Sequence, residues 1–483
     1  MLNASTNVTA TSRYHRSASA WLLGLVIATT GCAPGADEPS PGDQETVTLR
    51  EPLWAKSGVT LWPGGHVPVC FDGAVPGATR TLVQNAITNS WMRFANVDFS
   101  GFGTAGFLDC RSALGKVVVA TDASFSPGQG STSITGFPGT NATTSLRIAL
   151  NNPSARAVIH EFGHALGFIS ESVNVIGLGC LQRAGGGTQL TPFDEPNSIM
   201  AENGCNTASV LSPLDIVGAQ VAYGERLTGS AVGLNSQCLE ASGMPAGTAA
   251  HYVHCSSTTR QRWKRDADRH LFIPALADGF LDVEGGSVVN HAEVQTFTKN
   301  VPTTVNQQWA LDGVSVVGLG GKCVDVPGGA FANGTQLQIF TCHGGNNQKW
   351  TVEPDGVVKN GNFCWDAPGG QSADGTILQI FTCNGQSNQK FTFTSAGQMT
   401  FGTKCVDVRG GLPNDGSQLQ LFTCKAASDG TRFNQRFHVN GPITVGGTHC
   451  LDIPGANTSE NVAAQIFACG GGSNQTWDFY PGL

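Results

Sequence analysis

The stretch that decides the fold of the second half of the chain is CVDVPGGAFANGTQLQIFTCHGGNNQKW, residues 323–350. It holds, in order, a Cys followed by a hydrophobic residue and an Asp, a Gly-Thr pair, the segment Gln-Ile-Phe-x-Cys, and the ending Asn-Gln-x-Trp. The same order returns along the chain, and its copies start at Cys238, Leu281, Cys323, Cys364, Cys405 and Cys450. The first two copies are weaker, and successive starts lie 41 to 45 residues apart.

A period of this length indicates one supersecondary unit that is repeated because a single copy cannot bury its own apolar face. Alternating apolar residues and frequent Gly turns predict short β-strands within each copy. The spacing alone fits propeller blades as well. The Q-x-W ending decides between these architectures, because it resembles the signature of the ricin B-type lectin family, whose β-trefoil uses three such repeats.

Six repeats imply two tandem all-β β-trefoils, which we place at residues 230–352 and 353–483. The resemblance also implies local disulfides between cysteines 17 or 19 residues apart. These are Cys238–Cys255, Cys323–Cys342, Cys364–Cys383, Cys405–Cys424 and Cys450–Cys469.

In that family, sugar is bound by the early Asp of a repeat, by the Gln and aromatic residue of Q-x-F, and by the Asn before Q-x-W. Amide and carboxylate groups suit sugar hydroxyls, and a ring face suits the apolar side of a sugar. The matching residues are Asp325, Gln338, Phe340 and Asn347; Asp366, Gln379, Phe381 and Asn388; Asp407, Gln420, Phe422 and Asn434; and Asp452, Gln465, Phe467 and Asn474. Repeat two could add Asp282, Gln295, Phe297 and Asn306.

Repeat one has Glu240, His251 and Val253 in those places, so we expect no sugar site there. The Gln and Trp of Q-x-W are core residues of the trefoil and carry no information about binding. The resemblance therefore implies carbohydrate as a partner without proving that any one repeat binds it.

The first half of the chain contains NNPSARAVIHEFGHALGF, residues 151–168, which predicts a helix capped by Asn152 and ended by Gly167. His160 and His164 are four residues apart, so both imidazoles project from one face and can share a Zn²⁺ ion. Glu161 stands one step around the helix as the candidate general base for peptide hydrolysis. Two histidines that merely pack or face solvent are the competing interpretation.

The surrounding sequence narrows the class of this helix. The segment HExxHxxGFxxE, together with SIMAENG and its Met200 at a candidate Met-turn, resembles the astacin-like branch of the metzincin peptidases. The implied fold is an α+β catalytic domain over residues 50–226, with protein or peptide as substrate. Residues 78–97 carry a helical apolar stripe, KVVVAT and SLRIAL read as strands, and Ser212 with Asp215 predicts a capped final helix.

The third zinc ligand is the weak point of this resemblance, because Ser170 stands where the family has its third His. Glu171 could serve as a carboxylate ligand, giving a His-His-Glu set that zinc accepts. Another carboxylate could serve instead, and the candidates are Glu202, Asp194 and Glu195. A third possibility is that the site lacks a ligand and holds zinc weakly or not at all.

The N-terminus predicts export. Residues 1–32 resemble a lipoprotein signal peptide, with an apolar run at 21–28 and a lipidation site at Cys32, although an ordinary cleaved signal is an alternative. Residues 33–49 read as a flexible tether. Export favours disulfides, and Cys70–Cys110 and Cys180–Cys205 are the natural pairs in the first half.

Composition excludes some partners. A net charge of −8 gives no electrostatic case for nucleic acid. The body of the chain has no apolar run of 18 residues, so we expect membrane contact only through a lipid anchor.

Two functions remain. The first is an exported zinc endopeptidase, located in the bacterial envelope or outside the cell and held on glycans by lectin modules. The alternative is a carbohydrate-binding surface protein whose peptidase-like domain is inactive. A glycoside hydrolase is disfavoured, since nothing before residue 226 indicates a carboxylate pair beyond the metal helix.

Overall fold

The computed structural model describes residues 54–56, 60–101, 110, 116–127, 129–133, 146–170, 172–175, 179–182, 187–189, 198–201, 208–223, 229–241, 246–255, 258–394, 396–426, 429 and 431–480. The predicted signal peptide with Cys32 and the tether lie outside them. None of the helices in these ranges is long and apolar enough to cross a membrane.

The described residues of the N-terminal domain form ten short strands and four helices. The strands are β1 Trp54–Lys56, β2 His66–Phe71, β3 Asp98–Ser100, β4 Val117–Thr121, β5 Gln129–Thr132, β6 Leu146–Asn151, β7 Phe168–Ile169, β8 Ser172–Val175, β9 Gly179–Gln182 and β10 Gly187–Gln189. The helices are α1 Gly77–Thr88, α2 Trp91–Phe94, α3 Ala155–Ala165 and α4 Pro213–Tyr223.

The central sheet of this domain has the order β3-β2-β4-β6-β5. Its first four strands are parallel, and only the edge strand β5 runs antiparallel to its neighbour β6. The strands predicted from KVVVAT and SLRIAL are β4 and β6. In β6, Leu146, Ile148 and Leu150 are buried whereas Arg147 is exposed, so the alternation expected of a half-buried strand is present.

The helix predicted over residues 78–97 is divided into α1 and α2. Its break follows from Asn89 and Ser90, whose side chains donate to the carbonyl oxygens of Asn85 and Ala86 at 2.8 and 2.6 Å. Such local bonds compete with the helix backbone. Helix α1 packs against α3, the predicted metal helix, and buries Val83 with other apolar residues of its stripe.

The C-terminal region consists of short strands that the six repeats supply. In chain order they are β11 Ala231–Val232, β12 Gln237–Ala241, β13 Thr248–His254, β14 Lys264–Arg265, β15 Leu271–Phe272, β16 Phe280–Val283, β17 Val294–Phe297, β18 Trp309–Val317, β19 Cys323–Asp325, β20 Gln338–Phe340, β21 Trp350–Val352, β22 Val358–Asn360 and β23 Phe363–Asp366. They continue with β24 Thr376–Ile377, β25 Gln379–Thr382, β26 Thr392–Phe393, β27 Met399–Phe401, β28 Lys404–Val408, β29 Leu419–Thr423, β30 His438–Gly441, β31 Thr444–Val445, β32 His449–Asp452, β33 Val462–Ala463, β34 Gln465–Ala468 and β35 Trp477–Phe479.

Repeats three, four and five close on one another as one three-fold unit, which we call trefoil B. The backbone N–H of Leu337 donates to the carbonyl of Leu378, Leu378 to Leu419, and Leu419 to Leu337, at 2.9, 2.9 and 3.0 Å. The last part of β18 pairs with β30, which joins the start of repeat three to the end of repeat five. Trefoil B therefore spans about residues 313–440.

Repeats one, two and six form the second unit, trefoil A. Val294 donates to Ala464 and Ala464 to Ala250, at 2.9 and 2.8 Å. Strand β11 at the start of repeat one pairs with β35 at the end of repeat six, and the first part of β18 pairs with β31. Trefoil B is therefore inserted between repeats two and six of trefoil A.

This nesting corrects the predicted division into residues 230–352 and 353–483. The period of a sequence marks where each repeat begins, but it carries no information about which repeats close a ring. Strand β18 runs from repeat two into repeat three and pairs with strands of both units.

Buried aromatic residues at the Q-x-W positions fill the trefoil cores. The indole N–H of Trp350 donates to the carbonyl oxygen of Val324 at 3.1 Å, and that of Trp477 donates to Leu451 at 3.0 Å. All five disulfides predicted within repeats are present, and so is Cys70–Cys110. The predicted partner of Cys180, Cys205, lies outside the described residues.

Candidate functional site

Repeats three and four each bring their predicted sugar-binding residues together around one buried carboxylate. Asp325 accepts hydrogen bonds from the amide nitrogens of Gln338 and Asn347 at 2.8 and 2.7 Å. This follows from the register of β19 and β20, which sets Asp325 opposite Gln338. Because the amide nitrogens face the carboxylate, the amide oxygens remain as acceptors for an incoming hydroxyl.

The same arrangement recurs in the other predicted sites. Gln–Asp and Asn–Asp distances are 2.9 and 2.7 Å at Asp366, 3.0 and 2.7 Å at Asp407, 2.7 and 2.6 Å at Asp452, and 2.9 and 2.6 Å at Asp282. In repeat one, Glu240 accepts instead from the amide of Gln261 at 2.8 Å.

An exposed aromatic ring stands beside four of these carboxylates. Phe297, Phe340, Phe381 and Phe422 are 36 to 38% exposed, although large apolar side chains elsewhere in the trefoils are mostly buried. An exposed ring next to convergent amide groups is the pairing of apolar face and polar edge that a sugar requires.

Repeat five differs from repeats three and four in one contact. The ammonium of Lys425 donates to the amide oxygen of Asn434 at 2.6 Å, so that acceptor is already used. Sequence reasoning missed this contact because Lys425 lies outside the family's site residues. The sequence feature that could have indicated this contact is that Lys425 directly follows Cys424 of the same repeat.

Helix α3 begins two residues later than the predicted cap at Asn152 implies. Ser154 is the N-cap, and its hydroxyl accepts from the N–H of Ala157 at 3.2 Å, whereas Asn152 has a φ of 41°. The predicted end is present, since Gly167 follows the helix with a φ of 106°.

The two histidines of α3 direct nitrogens at each other across the helix face. The Nε2 atoms of His160 and His164 are 3.1 Å apart, and their Nδ1 atoms lie 2.8 Å from the carbonyl oxygens of Ile199 and Phe168. Since a carbonyl only accepts, each Nδ1 carries a proton, and the neutral form of each ring then has its lone pair on Nε2. Burial and the neighbouring His164 lower the pKa of His160 to about 3, which favours the neutral ligand form.

These two nitrogens fit a zinc ion. Zinc–nitrogen bonds of about 2.0–2.1 Å at a tetrahedral centre place two nitrogens roughly 3.3 Å apart, close to the observed separation. Backbone carbonyls on both Nδ1 atoms are the outer partners that orient histidine ligands. The side chains of His160 and His164 are therefore suited to hold zinc.

Glu161 is buried next to this pair. Burial raises the pKa of its carboxyl group to about 7, although a hydrogen bond from the hydroxyl of Thr132 at 2.7 Å opposes that rise. Thr132 belongs to the edge strand β5. A carboxylate whose pKa lies near neutrality is well suited to take and return a proton.

Met200 lies against the metal helix at Gly163. A Cβ atom on Gly163 would come within 2.3 Å of the Met200 sulfur, so only glycine fits at this position. The segment before it is fixed by Asp215, which accepts from the Ser198 hydroxyl at 2.7 Å and the Ile199 N–H at 2.8 Å. Asp215 also forms the predicted capping box with Ser212.

The third ligand position is occupied by a buried serine. The hydroxyl of Ser170 is 3.5 Å from Nε2 of His164. The carboxylates proposed as alternative ligands, Glu171, Asp194, Glu195 and Glu202, all lie outside the described residues.

The family model of the ricin-type β-trefoil lectin domain matches residues 313–402 and 400–482. Similar solved structures include the agglutinin from Abrus precatorius, with 16% identity over 44% of this chain and 95% of that one and a TM-score of 0.21. A non-toxic homologue of type II RIPs from Momordica charantia, in complex with α-methyl-D-galactoside, has 13% identity over 44% and 95% and a TM-score of 0.23. The designed three-fold symmetric protein ThreeFoil has 20% identity over 35% and 95% and a TM-score of 0.17.

No curated protein matches the chain. The match of the family model covers repeats three to six. Residues 313–482 of this chain are therefore identified as ricin-type β-trefoil lectin domain sequence.

Proposed function

We propose that this protein is an exported zinc-dependent endopeptidase whose lectin domains hold it on glycans or glycoproteins. The observation that carries the peptidase part is the pair of imidazole Nε2 atoms of His160 and His164, 3.1 Å apart, on the same helix as the buried Glu161 carboxyl group. A pair of histidines that only packed in a core would not need both Nδ1 atoms fixed and both Nε2 atoms converging.

Each residue has a distinct role in the proposed reaction. A bound zinc ion supplies Lewis-acid chemistry at the peptide carbonyl. Glu161 takes a proton from the attacking water and passes it to the leaving amine, which a pKa of about 7 permits in both directions. Thr132 orients the Glu161 carboxylate through its 2.7 Å hydrogen bond.

The test of the peptidase is hydrolysis of an unstructured protein such as casein by the full chain and by Glu161→Gln. We expect the variant to lose nearly all cleavage while it keeps its zinc, because Gln cannot accept the proton. Equal cleavage by both proteins, or no zinc-dependent cleavage by the native chain, would reject the peptidase.

The second candidate function is a sugar-binding surface protein with an inactive peptidase-like domain. The observation in its favour is Ser170 at the third ligand position, since a hydroxyl is a poor zinc ligand at neutral pH. In that case Glu161→Gln changes no measurable activity, and glycan binding is the whole function.

We also propose that sugar is bound at the Asp, Gln, Phe and Asn sets of the repeats, most openly in repeats three and four. An array of galactosides, glucosides, mannosides, xylosides and uronic-acid oligosaccharides tests this. We expect Phe340→Ala with Phe381→Ala to lower the array signal, since both rings are exposed and their loss leaves the cores intact.

Several disulfides indicate an extracellular or exported protein. We propose that Cys32 carries a lipid anchor. Incorporation of labelled palmitate, and its loss in Cys32→Ala, tests this proposal.

A further inference from the structure

The sugar site of repeat six differs from the other sites at its rim. We call the rim the residue of another repeat whose backbone N–H donates to the carbonyl oxygen of the residue between the Gln and the Phe of the site. In repeats two to five this rim residue is a glycine. The pairs are Gly247–Thr296, Gly416–Ile339, Gly334–Ile380 and Gly375–Leu421. In repeat six, His291 of repeat two makes this hydrogen bond, to Ile466 at 2.9 Å.

The backbone at this rim position is left-handed in every case. The four glycines have φ between 88° and 91°, and His291 has φ of 68°. A side chain is strained in this conformation, so its presence requires a compensating contact. The imidazole of His291 makes two such contacts, and both are with residues of the repeat-six site.

The first contact is a hydrogen bond to the amide of Gln465. The Nδ1 atom of His291 lies 3.1 Å from the oxygen Oε1 of Gln465, while the nitrogen of that amide donates to Asp452 at 2.7 Å. The amide oxygen is therefore the acceptor, and Nδ1 carries the proton. In repeats three and four the matching Gln oxygens face only a glycine, whose Cβ would lie 3.9 Å away.

The second contact covers the aromatic ring. The imidazole packs edge-to-face against Phe467, with 5.0 Å between ring centroids and an interplanar angle of 69°. Phe467 is half-buried, unlike its four exposed counterparts. The side chain of His291 thus uses both groups that a sugar would use, the acceptor oxygen and the ring face.

We propose that His291 occupies the sugar site of repeat six and closes it to the ligand that the open repeats bind. This rests on the proposed sugar sites. Trefoil A then presents one open site, in repeat two, and avidity on a polysaccharide falls mainly on trefoil B.

The first test uses the full chain in which the exposed rings of repeats two to five are removed, so that only the site of repeat six keeps its aromatic ring. The four substitutions are Phe297→Ala, Phe340→Ala, Phe381→Ala and Phe422→Ala. On the sugar array described above, this fourfold variant is expected to give no signal above background. Adding His291→Gly is expected to raise the signal about tenfold above that of the fourfold variant. Binding by the fourfold variant that is lost on His291→Gly would overturn the proposal, because His291 would then contribute to binding.

The second test installs the closure at an open site. In a chain where only repeat three keeps its ring, Gly416→His is expected to lower binding by about tenfold. Gly361→His is the matched control, since Gly361 has φ of 55° and a Cβ there meets no atom within 4 Å. Unchanged binding in Gly416→His would contradict the proposal.

A third measurement separates this proposal from the carbohydrate function itself. If the native chain binds no sugar on the array, the proposed function fails, and the tautomer of His291 still tests the contact. Long-range ¹H–¹⁵N correlation should find the proton on Nδ1 and a changed spectrum in Gln465→Ala. A proton on Nε2, or an unchanged spectrum, would overturn the closure.

Discussion

The Nε2 atoms of His160 and His164 lie 3.1 Å apart, and each Nδ1 donates to a backbone carbonyl, so the neutral rings direct their Nε2 lone pairs toward each other. Two lone pairs at this distance repel each other unless a cation lies between them. Two imidazole nitrogens in this arrangement are suited to share one zinc ion, and the predictions on zinc follow from that relationship.

The first prediction concerns pH. Because burial raises the pKa of Glu161 to about 7 from an ordinary value of about 4.3, the folded protein binds this proton more tightly than the unfolded chain. Its contribution to stability is full below about pH 4.3 and is lost as the pH rises through about 7, by at most about 4 kcal/mol.

The lowered pKa of His160 has the opposite effect, because it makes the folded protein less stable as the pH falls below about 6.5. The measurement must therefore cancel the contribution of His160. Urea unfolding of metal-free native chain and Glu161→Gln does so, since His160 is common to both. We expect the native chain to lose stability relative to the variant between pH 5 and 8. A difference that does not change with pH contradicts the buried carboxyl.

The second prediction separates binding from packing within repeat four. Phe381 is 36% exposed and Phe391 is 1% exposed, so they are matched rings with opposite environments. Phe391→Ala should cost about 3–5 kcal/mol of unfolding free energy. Phe381→Ala should lower sugar binding and change stability by less than about 1 kcal/mol. Equal losses of stability would show that the exposed ring is structural.

The third prediction concerns the nested trefoils. Residues 312–441 contain all three repeats of trefoil B, so this fragment should fold alone and unfold in one cooperative transition. Residues 353–483 contain two repeats of trefoil B and one of trefoil A, so they should not. Circular dichroism melts of the oxidised fragments distinguish these outcomes, and a cooperative melt of residues 353–483 would contradict the observed strand pairing.

The fourth prediction restores the missing imidazole. Ser170→His places a third imidazole at a position whose native hydroxyl lies 3.5 Å from Nε2 of His164. We expect zinc affinity to rise by at least about tenfold, as competition with a chelator would measure. Ser170→Ala is the control and should leave zinc affinity unchanged. A drop in affinity for Ser170→His would mean that the serine side does not face the ion.

Features fixed by neighbouring residues could be predicted from the sequence. The metal helix, the strands around Val117 and Leu146, the disulfides within repeats and the pairing of Asp325 with Gln338 all follow from short-range spacing. The prediction of Asn152 as the N-cap of α3 is wrong, and the cap is Ser154. Both are good capping residues, and only their backbone angles distinguish them.

Features that depend on which distant segments meet could not be predicted. The nesting of the trefoils depends on the pairing of β11 with β35, across the whole C-terminal region. His291 lies 174 residues from Gln465, and the family's site residues all belong to a single repeat, so nothing in repeat six points to it.

The most direct test of the central claim is the zinc content of the purified full chain after dialysis against a weak chelator at neutral pH, compared with His160→Ala. We expect about one zinc per native chain and none in the variant. Absence of zinc from the native chain, with sugar binding intact, would contradict the peptidase and leave a carbohydrate-binding protein.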